Sequence, residues 1–262
     1  MSNKRTYIGI DLSLNHFGIC ATSDDSKFIN WGYLTDKKKY RPTNYSSFNC
    51  TQYYLTEKGK GEDRNLFLAR RRCIVYQSLI NFLYKFHPPI QCRRRNKFFT
   101  YVCMEDVVYT NKTNSSYELA EIIGLVKYYL WENNFHLRLL APGSLKLWAT
   151  GKGNALKKDM VAVVERSLGE DIDLSFLDKL MVERKRKRKG KEPLVDLDGP
   201  GTDMAEAFLM ARFVEEELII RDGISDLKDL AEHRRNVFLR TTPAHPVNIL
   251  ATPFIHKGEV SE

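Results

Sequence analysis

The sequence predicts an α/β domain built on a mixed sheet, and three observations carry that expectation. Residues 5 to 35 alternate apolar runs with polar turns, as an antiparallel strand meander does. From Asp63 and again from Ser116, apolar residues recur at threes and fours, as in helices packed on one face. Short apolar strands at Phe98 to Met104 and His136 to Leu140 follow, and strands separated by helices join a sheet through crossovers.

A chain of 262 residues fits one elaborated domain or a domain with appendages. Its 41 Lys and Arg against 33 Asp and Glu give a net charge of +8, which favours a polyanionic partner without requiring nucleic acid. The apolar runs are short and broken by charges, so neither a signal peptide nor a membrane span is expected. Five cysteines, odd in number and without a CxxC pair, read as reduced intracellular thiols rather than a disulfide framework or a zinc site.

The meander is read as strands Thr6 to Asp11, Gly18 to Thr22 and Phe28 to Leu34, with Asp24, Asp25 and Ser26 turning the last two. Asp36 to Gly61 is polar, aromatic and lysine-rich without a clear period, and reads as a long loop. The first helix offers Leu66, Ala69, Cys73, Tyr76, Ile80 and Leu83 as its apolar stripe and ends before Pro88-Pro89, with Arg70, Arg71 and Arg72 on the opposite face. Phe98 to Met104 then delivers Glu105-Asp106 at a strand end. The second helix, 116 to 133, offers Leu119, Ile122, Ile123, Val126 and Leu130 for burial.

After the strand His136 to Leu140, Ala141-Pro142-Gly143 breaks the chain and Ser144 is placed to cap a helical turn, Leu145 to Trp148. Thr150-Gly151-Lys152-Gly153-Asn154 forms a glycine turn, and Lys157 to Leu168 an amphipathic helix. Residues 183 to 191 are a basic block, expected to be solvated between two helices. A last helix runs from about Asp203 to Arg221. Beyond it the chain is only weakly periodic and holds Pro243, Pro246 and Pro253, an appendage that packs on the domain or on a partner.

Carboxylates sit at three element ends: Asp11, Glu105, and the pair Asp203 and Glu206, which at i, i+3 share one helix face. Clustered anions repel unless they share a proton or a cation, and oxygen ligands select a hard ion such as Mg²⁺ or Mn²⁺. Two such ions roughly 3.5–4 Å apart suit in-line attack of water on a phosphodiester. Taken singly, each carboxylate has a plainer reading: Asp11 a strand-end turn cap, Glu105 a strand end in solvent, Asp203 a helix cap.

The stretch Ile8-Gly9-Ile10-Asp11-Leu12-Ser13-Leu14 with Gly18, then Met104-Glu105-Asp106-Val107 and the helix holding Leu119 and Gly124, resembles the RuvC-type Holliday junction resolvases of the ribonuclease H-like superfamily. The resemblance continues through Pro142 with Leu145-Lys146, through Thr150-Gly151-Lys152-Gly153-Asn154-Ala155 with Lys157, and through Asp203-Met204-Ala205-Glu206-Ala207 with Ala211, so it covers most of residues 5 to 215. It implies a ribonuclease H-like fold over 1–221, with an insert at 36–62 and a basic loop at 178–202, followed by a C-terminal extension at 222–262. It further implies Asp11, Glu105, Asp203 and Glu206 as catalytic metal ligands for two Mg²⁺ or Mn²⁺ ions. Glu206 departs by one methylene from the Asp usual in the family.

The same resemblance assigns Lys146, Lys152, Lys157 and Lys158 to DNA phosphates, where glycines let backbone amides approach and lysines release counterions. An ordinary helix–helix turn is the other reading of that stretch. Tyr109 is nominated as the side chain that stacks in the junction centre, against ordinary strand-end packing. Arg184, Lys185 and Arg186 of the basic block are placed along a DNA arm, with a localisation signal or a mobile loop as the alternatives.

The expected activity is hydrolysis of four-way junctions to 5′-phosphate and 3′-hydroxyl ends by an intracellular, cytoplasmic enzyme; the resemblance also implies a homodimer, for which the helix at 116 to 133 is the candidate dimer element. Two other functions stay open: a broader nuclease acting on flaps, forks or RNA–DNA hybrids, and a non-catalytic basic DNA-binding protein.

Overall fold

Six strands form a mixed sheet in the order β4 (Cys50–Tyr54), β3 (Asn30–Thr35), β2 (His16–Ser23), β1 (Arg5–Leu12), β5 (Phe99–Glu105), β6 (His136–Leu140). The computed structural model describes residues 5–14, 16–23, 29–35, 50–55, 57–86, 99–106, 114–141, 143–169, 175–188, 191–241 and 248–257. β1, β2 and β3 are the antiparallel meander. β5 and β6 add parallel strands beside β1. A mixed sheet with helices on both faces bears out the predicted α/β class. No described helix is long and apolar enough to cross a membrane.

Strand periodicity divides the core in two. Ile8, Ile10, Phe17, Ile19, Val102 and Met104 face α1 (Arg64–Phe86) and α2 (Asn114–Glu132). Tyr7, Cys20 and Cys103 face the other layer, which holds α3 (Ser144–Thr150), α4 (Lys157–Leu168), α5 (Ser175–Lys179) and α6 (Pro200–Arg221). Alternation from Tyr7 and Cys103 puts Gly9, Asp11 and Glu105 on the α6 side.

α6 is buried over nearly its whole circumference. A helix with so little solvent contact must be small where it meets the sheet, and both partners contribute. Ala205, Ala207 and Ala211 are fully buried, and a Cβ on Gly9 would lie 1.8 Å from the Ala207 carbonyl oxygen. A Cβ on Gly18 would lie 2.2 Å from the Asp203 carbonyl carbon. Two strand glycines therefore let the helix backbone rest directly on the sheet.

Several expectations are corrected. The stretch 36–61 carries a strand, β4 (Cys50–Tyr54), paired parallel to β3, because Thr51, Tyr53 and Tyr54 supply β-forming side chains to a free sheet edge; residues 36–49 lie outside the described ones. The buried stripe of α1 is Val75, Ser78, Leu79, Phe82 and Leu83, whereas Leu66, Ala69 and Cys73 are exposed. The sheet meets only the second half of that helix, while Arg72 on its first half pairs with Glu121 of α2 at 2.8 Å. Ser144 is the first residue of α3 rather than its cap; Gly143, at φ 88°, occupies the cap position.

The basic block is not a loop between helices. β7 (Val182–Arg188) and β8 (Lys191–Asp198) form an antiparallel hairpin, with residues 189–190 outside the described ones. Asp203 stands in the first turn of α6, which starts at Pro200, so it is not the helix cap. The tail packs on the domain. It forms α7 (Glu232–Leu239), which buries Val237 and Phe238, and Ile255 pairs backbone to backbone with Leu137 on the edge strand β6. Glu217, fully buried on α6, binds Arg138 of β6 at 2.5 and 2.9 Å and Arg221 at 2.8 Å. Both arginines donate onward to the Thr252 carbonyl, which fastens the tail to the core.

Candidate metal centre

The glycine contacts that seat α6 also aim its carboxylates. Asp11 pairs across β1–β2 with Gly18, the residue on which the Asp203 backbone rests. One helical turn on, Glu206 leaves the same face of α6 as Asp203. Oxygens of Asp11, Asp203 and Glu206 lie within 4.8 Å of one another, so the longer Glu206 side chain reaches the cluster. Ile10 pairs with Met104, so Glu105 ends β5 beside Asp11 on the neighbouring parallel strand. Glu105 stands next to this trio rather than within it. Asp106 turns away and pairs with Lys127 of α2 at 2.8 Å.

Proton affinities report the crowding. Burial, then Glu206 and Asp203, push the Asp11 carboxyl well above the usual carboxylate range. Burial and Glu206 raise Glu105 to about 7, against the pull of Lys146 and Lys157. Burial also works to raise Asp203, but Lys157 and His16 overcome it and hold that carboxyl low.

Lys157 is the cation of the cluster. Asp159 accepts the Leu156 N–H at 2.9 Å and so fixes the start of α4, where Lys157 is the first residue. Its Nζ lies 2.8 Å from Asp203 Oδ1 and 3.3 Å from Glu206 Oε2. Burial disfavours its charge, yet Asp203, Glu206 and Asp11 outweigh this and raise its proton affinity. An ammonium drawn into the midst of three carboxylates shows that this cavity favours positive charge, and the all-oxygen donor set fits Mg²⁺ or Mn²⁺.

The remaining sequence-derived residues are spread around this centre. Lys146 on α3 is close enough to act on Glu105. Lys152 and Lys158 are exposed, on the glycine turn and at the start of α4. Within that turn Gly151 adopts φ 76°, and the Thr150 hydroxyl accepts the Lys152 N–H at 3.1 Å. Arg184 and Lys185 are exposed on β7, Arg184 3.2 Å from Asp198. Arg186 pairs with Leu194 in the hairpin, and its side chain lies outside the described residues, as does all of Tyr109.

Sequence reasoning missed His16. Its Nδ1 bonds Asp203 Oδ2, so both oxygens of that buried carboxylate are engaged. The signal was available in the strand period, because His16 is two residues before Gly18 and therefore shares its face.

The metal-free protein is expected to lose stability between pH 5 and 7. Glu105 has a folded-state value of about 7 against an ordinary 4.5, so its contribution is fully present below the lower value and is lost as pH rises through the upper one. Asp203, held low, acts oppositely and only in more acid solution. For Glu105 alone the loss is roughly 2 to 3 kcal/mol, and Asp11, raised in the same direction, adds to it. Melting curves at pH 5, 6, 7 and 8 check this; added Mg²⁺ should restore more stability at pH 8 than at pH 5, since protons compete for the same oxygens.

No protein-family model and no curated protein matches the chain. Among solved structures it is similar to a Thermus thermophilus RuvC structure, at 16% identity, 83% coverage of this chain and 96% of that one, with a TM-score of 0.40. It is similar also to T. thermophilus RuvC in complex with a Holliday junction substrate, at 14% identity, 80% coverage of this chain and 91% of that one, with a TM-score of 0.37.

Proposed function

We propose that the chain is a metal-dependent endonuclease that cuts branched DNA, four-way junctions foremost, by hydrolysis to 5′-phosphate and 3′-hydroxyl ends. The observation that carries this reading is the convergence of half-buried Asp11 with buried Asp203 and Glu206 at the carboxyl edge of the sheet, beside Glu105. Those four residues would hold the divalent ions, Mg²⁺ or Mn²⁺. Bound there, such ions activate water and stabilise charge on the leaving oxygen.

The chain's own side chains do the rest. Lys157 neutralises the cluster before substrate arrives and, on a long flexible stem, can turn its ammonium to a phosphate oxygen. Lys146 stands over the Glu105 side of the same edge. Lys152 and Lys158, with Arg184 and Lys185 on the hairpin, line up charge for the flanking backbone, which positions DNA without reading its sequence. Tyr109 keeps its assignment as the stacking residue.

We further propose a homodimer formed through α2. Its outer face exposes Tyr117, Leu125, Tyr128 and Trp131, and the space around Gly124 is open enough for a second helix to approach. Two copies would present two sites to opposing strands.

A synthetic four-way junction with each strand labelled, incubated with Mg²⁺ or Mn²⁺, is expected to show paired, symmetric nicks. Flap, fork, linear duplex and RNA–DNA hybrid run in parallel measure selectivity. Preferential cutting of flaps, forks or hybrids would move the assignment to a broader nuclease, and binding without any cleavage would reduce it to a DNA-binding protein.

A further inference from the structure

The two partners of Asp203 are tethered in opposite ways. Lys157 reaches Oδ1 at the end of four methylenes, with its side chain one-fifth exposed and its charge shared with Glu206. It also donates to the Thr202 hydroxyl at 3.2 Å, but every one of its partners is an oxygen that another cation can engage in its place. His16 reaches Oδ2 through a side chain with two torsions, from a backbone that is itself locked.

The lock is a tight turn. Ser13 N–H donates to the His16 carbonyl at 3.1 Å, and His16 N–H donates back to Ser13 Oγ at 3.2 Å. The Ser13 hydroxyl also donates to the His16 carbonyl and lies 3.2 Å from Nδ1. Two residues on, Gly18 seats the Asp203 backbone on β2, so imidazole and carboxylate belong to one rigid junction of strand and helix.

We propose that His16 is a positioning residue for the metal centre: its Nδ1–H holds Oδ2 of Asp203 and thereby turns Oδ1 toward Glu206 and the cation site. This rests on the reading of the acidic cluster as a divalent-ion site. Oδ1 is the oxygen on the cation's side, because the Lys157 ammonium bridges it to Glu206. A carboxylate ligand with one oxygen pinned presents the other in a fixed direction, whereas an unpinned one spends part of its time rotated out of place. Outer partners of this kind typically govern 10–100-fold of metal affinity. Among the described residues no hydrogen bond engages His16 Nε2, so the ring contributes through Nδ1.

Three substitutions in the full chain separate this role from simple packing, with Mn²⁺ alone titrated calorimetrically into DNA-free protein. His16→Ala is expected to weaken Mn²⁺ binding about 10–100-fold. His16→Asn, whose amide nitrogen falls where Nδ1 lies, should restore most of that loss. His16→Gln, whose amide reaches the Nε2 position instead, should not. The Asn and Gln variants are compared directly, so the test holds even if His16→Ala does not fold. Equal Mn²⁺ affinity in the Asn and Gln variants would overturn the proposal, as would wild-type affinity in His16→Ala, and either result leaves the metal site standing. Wild-type protein that takes up no Mn²⁺ would overturn the proposal and the metal-site reading together.

Discussion

Asp11→Asn is expected to lower strand cleavage at least about a thousandfold while leaving junction binding and the fold intact. Asp11 is the penultimate residue of β1, on the face that α6 covers, its carboxyl raised by burial, Glu206 and Asp203. An asparagine of the same size removes one negative charge from a cluster that needs several to retain a divalent ion. Transition-state stabilisation by a bound ion is worth several kcal/mol, and each 1.36 kcal/mol is a factor of ten in rate. The same substitution relieves repulsion in the metal-free state, so the variant should melt at or above the wild-type temperature without metal and gain less from added Mg²⁺. A dead but more stable protein is the signature of a functional carboxylate; a structural one, once neutralised, would leave its partners unsatisfied and the melting temperature lower. Single-turnover cleavage of a labelled junction, paired with binding measured in Ca²⁺, reads both effects. Wild-type cleavage would remove Asp11 from the mechanism.

Much of this site was legible because its directions follow from short periods. Ile8 and Ile10 alternate with Gly9 and Asp11, so the carboxylate had to face away from the aliphatic layer, and Asp203 with Glu206 had to share a helix face. The ordinary reading of Asp203 as a helix cap fails: α6 begins three residues before it, which frees its carboxylate from capping while its backbone rests on Gly18.

What escaped the sequence depends on contacts between distant segments. His16 meets Asp203 across 187 positions; the strand period gives its face, but not the partner it finds there. In α1, two neighbouring stripes both satisfy the helical period; the choice of Val75, Leu79 and Phe82 over Leu66, Ala69 and Cys73 is made by where the sheet ends. The run from Arg184 to Arg188 carries no apolar alternation, and its strand exists through backbone pairing with β8, to which a charge-based reading is blind. α7 buries only Val237 and Phe238, too few apolar residues to show a period.

Gly18→Ala is expected to destabilise the fold and abolish divalent-ion binding together, although it adds one methyl group outside the acidic cluster. That methyl would lie 2.2 to 2.4 Å from the Asp203 carbonyl carbon and oxygen and from the Met204 nitrogen. These are backbone atoms of a helix, and no side chain can swing aside to admit it. The helix itself must lift, but Gly9 holds it one turn further on, with Ala207 and Ala211 in contact on the same sheet. Lifting at one glycine and not the other tilts α6 about its second contact, which carries Asp203 away from Asp11 and from His16. Overpacking of side chains costs about 1–3 kcal/mol; against backbone on both sides the upper end or more applies. For a chain of this size that is a fall in melting temperature of roughly 6 °C or more. Gly124→Ala, remote from the acidic cluster, is the control for Mn²⁺ affinity, since within one protomer nothing lies within 4 Å of its added Cβ. Thermal melts with and without Mn²⁺, read beside Mn²⁺ titrations, separate the outcomes. If Gly18→Ala kept wild-type affinity for Mn²⁺, the seating of α6 on β2 would not be what holds Asp203 over Asp11.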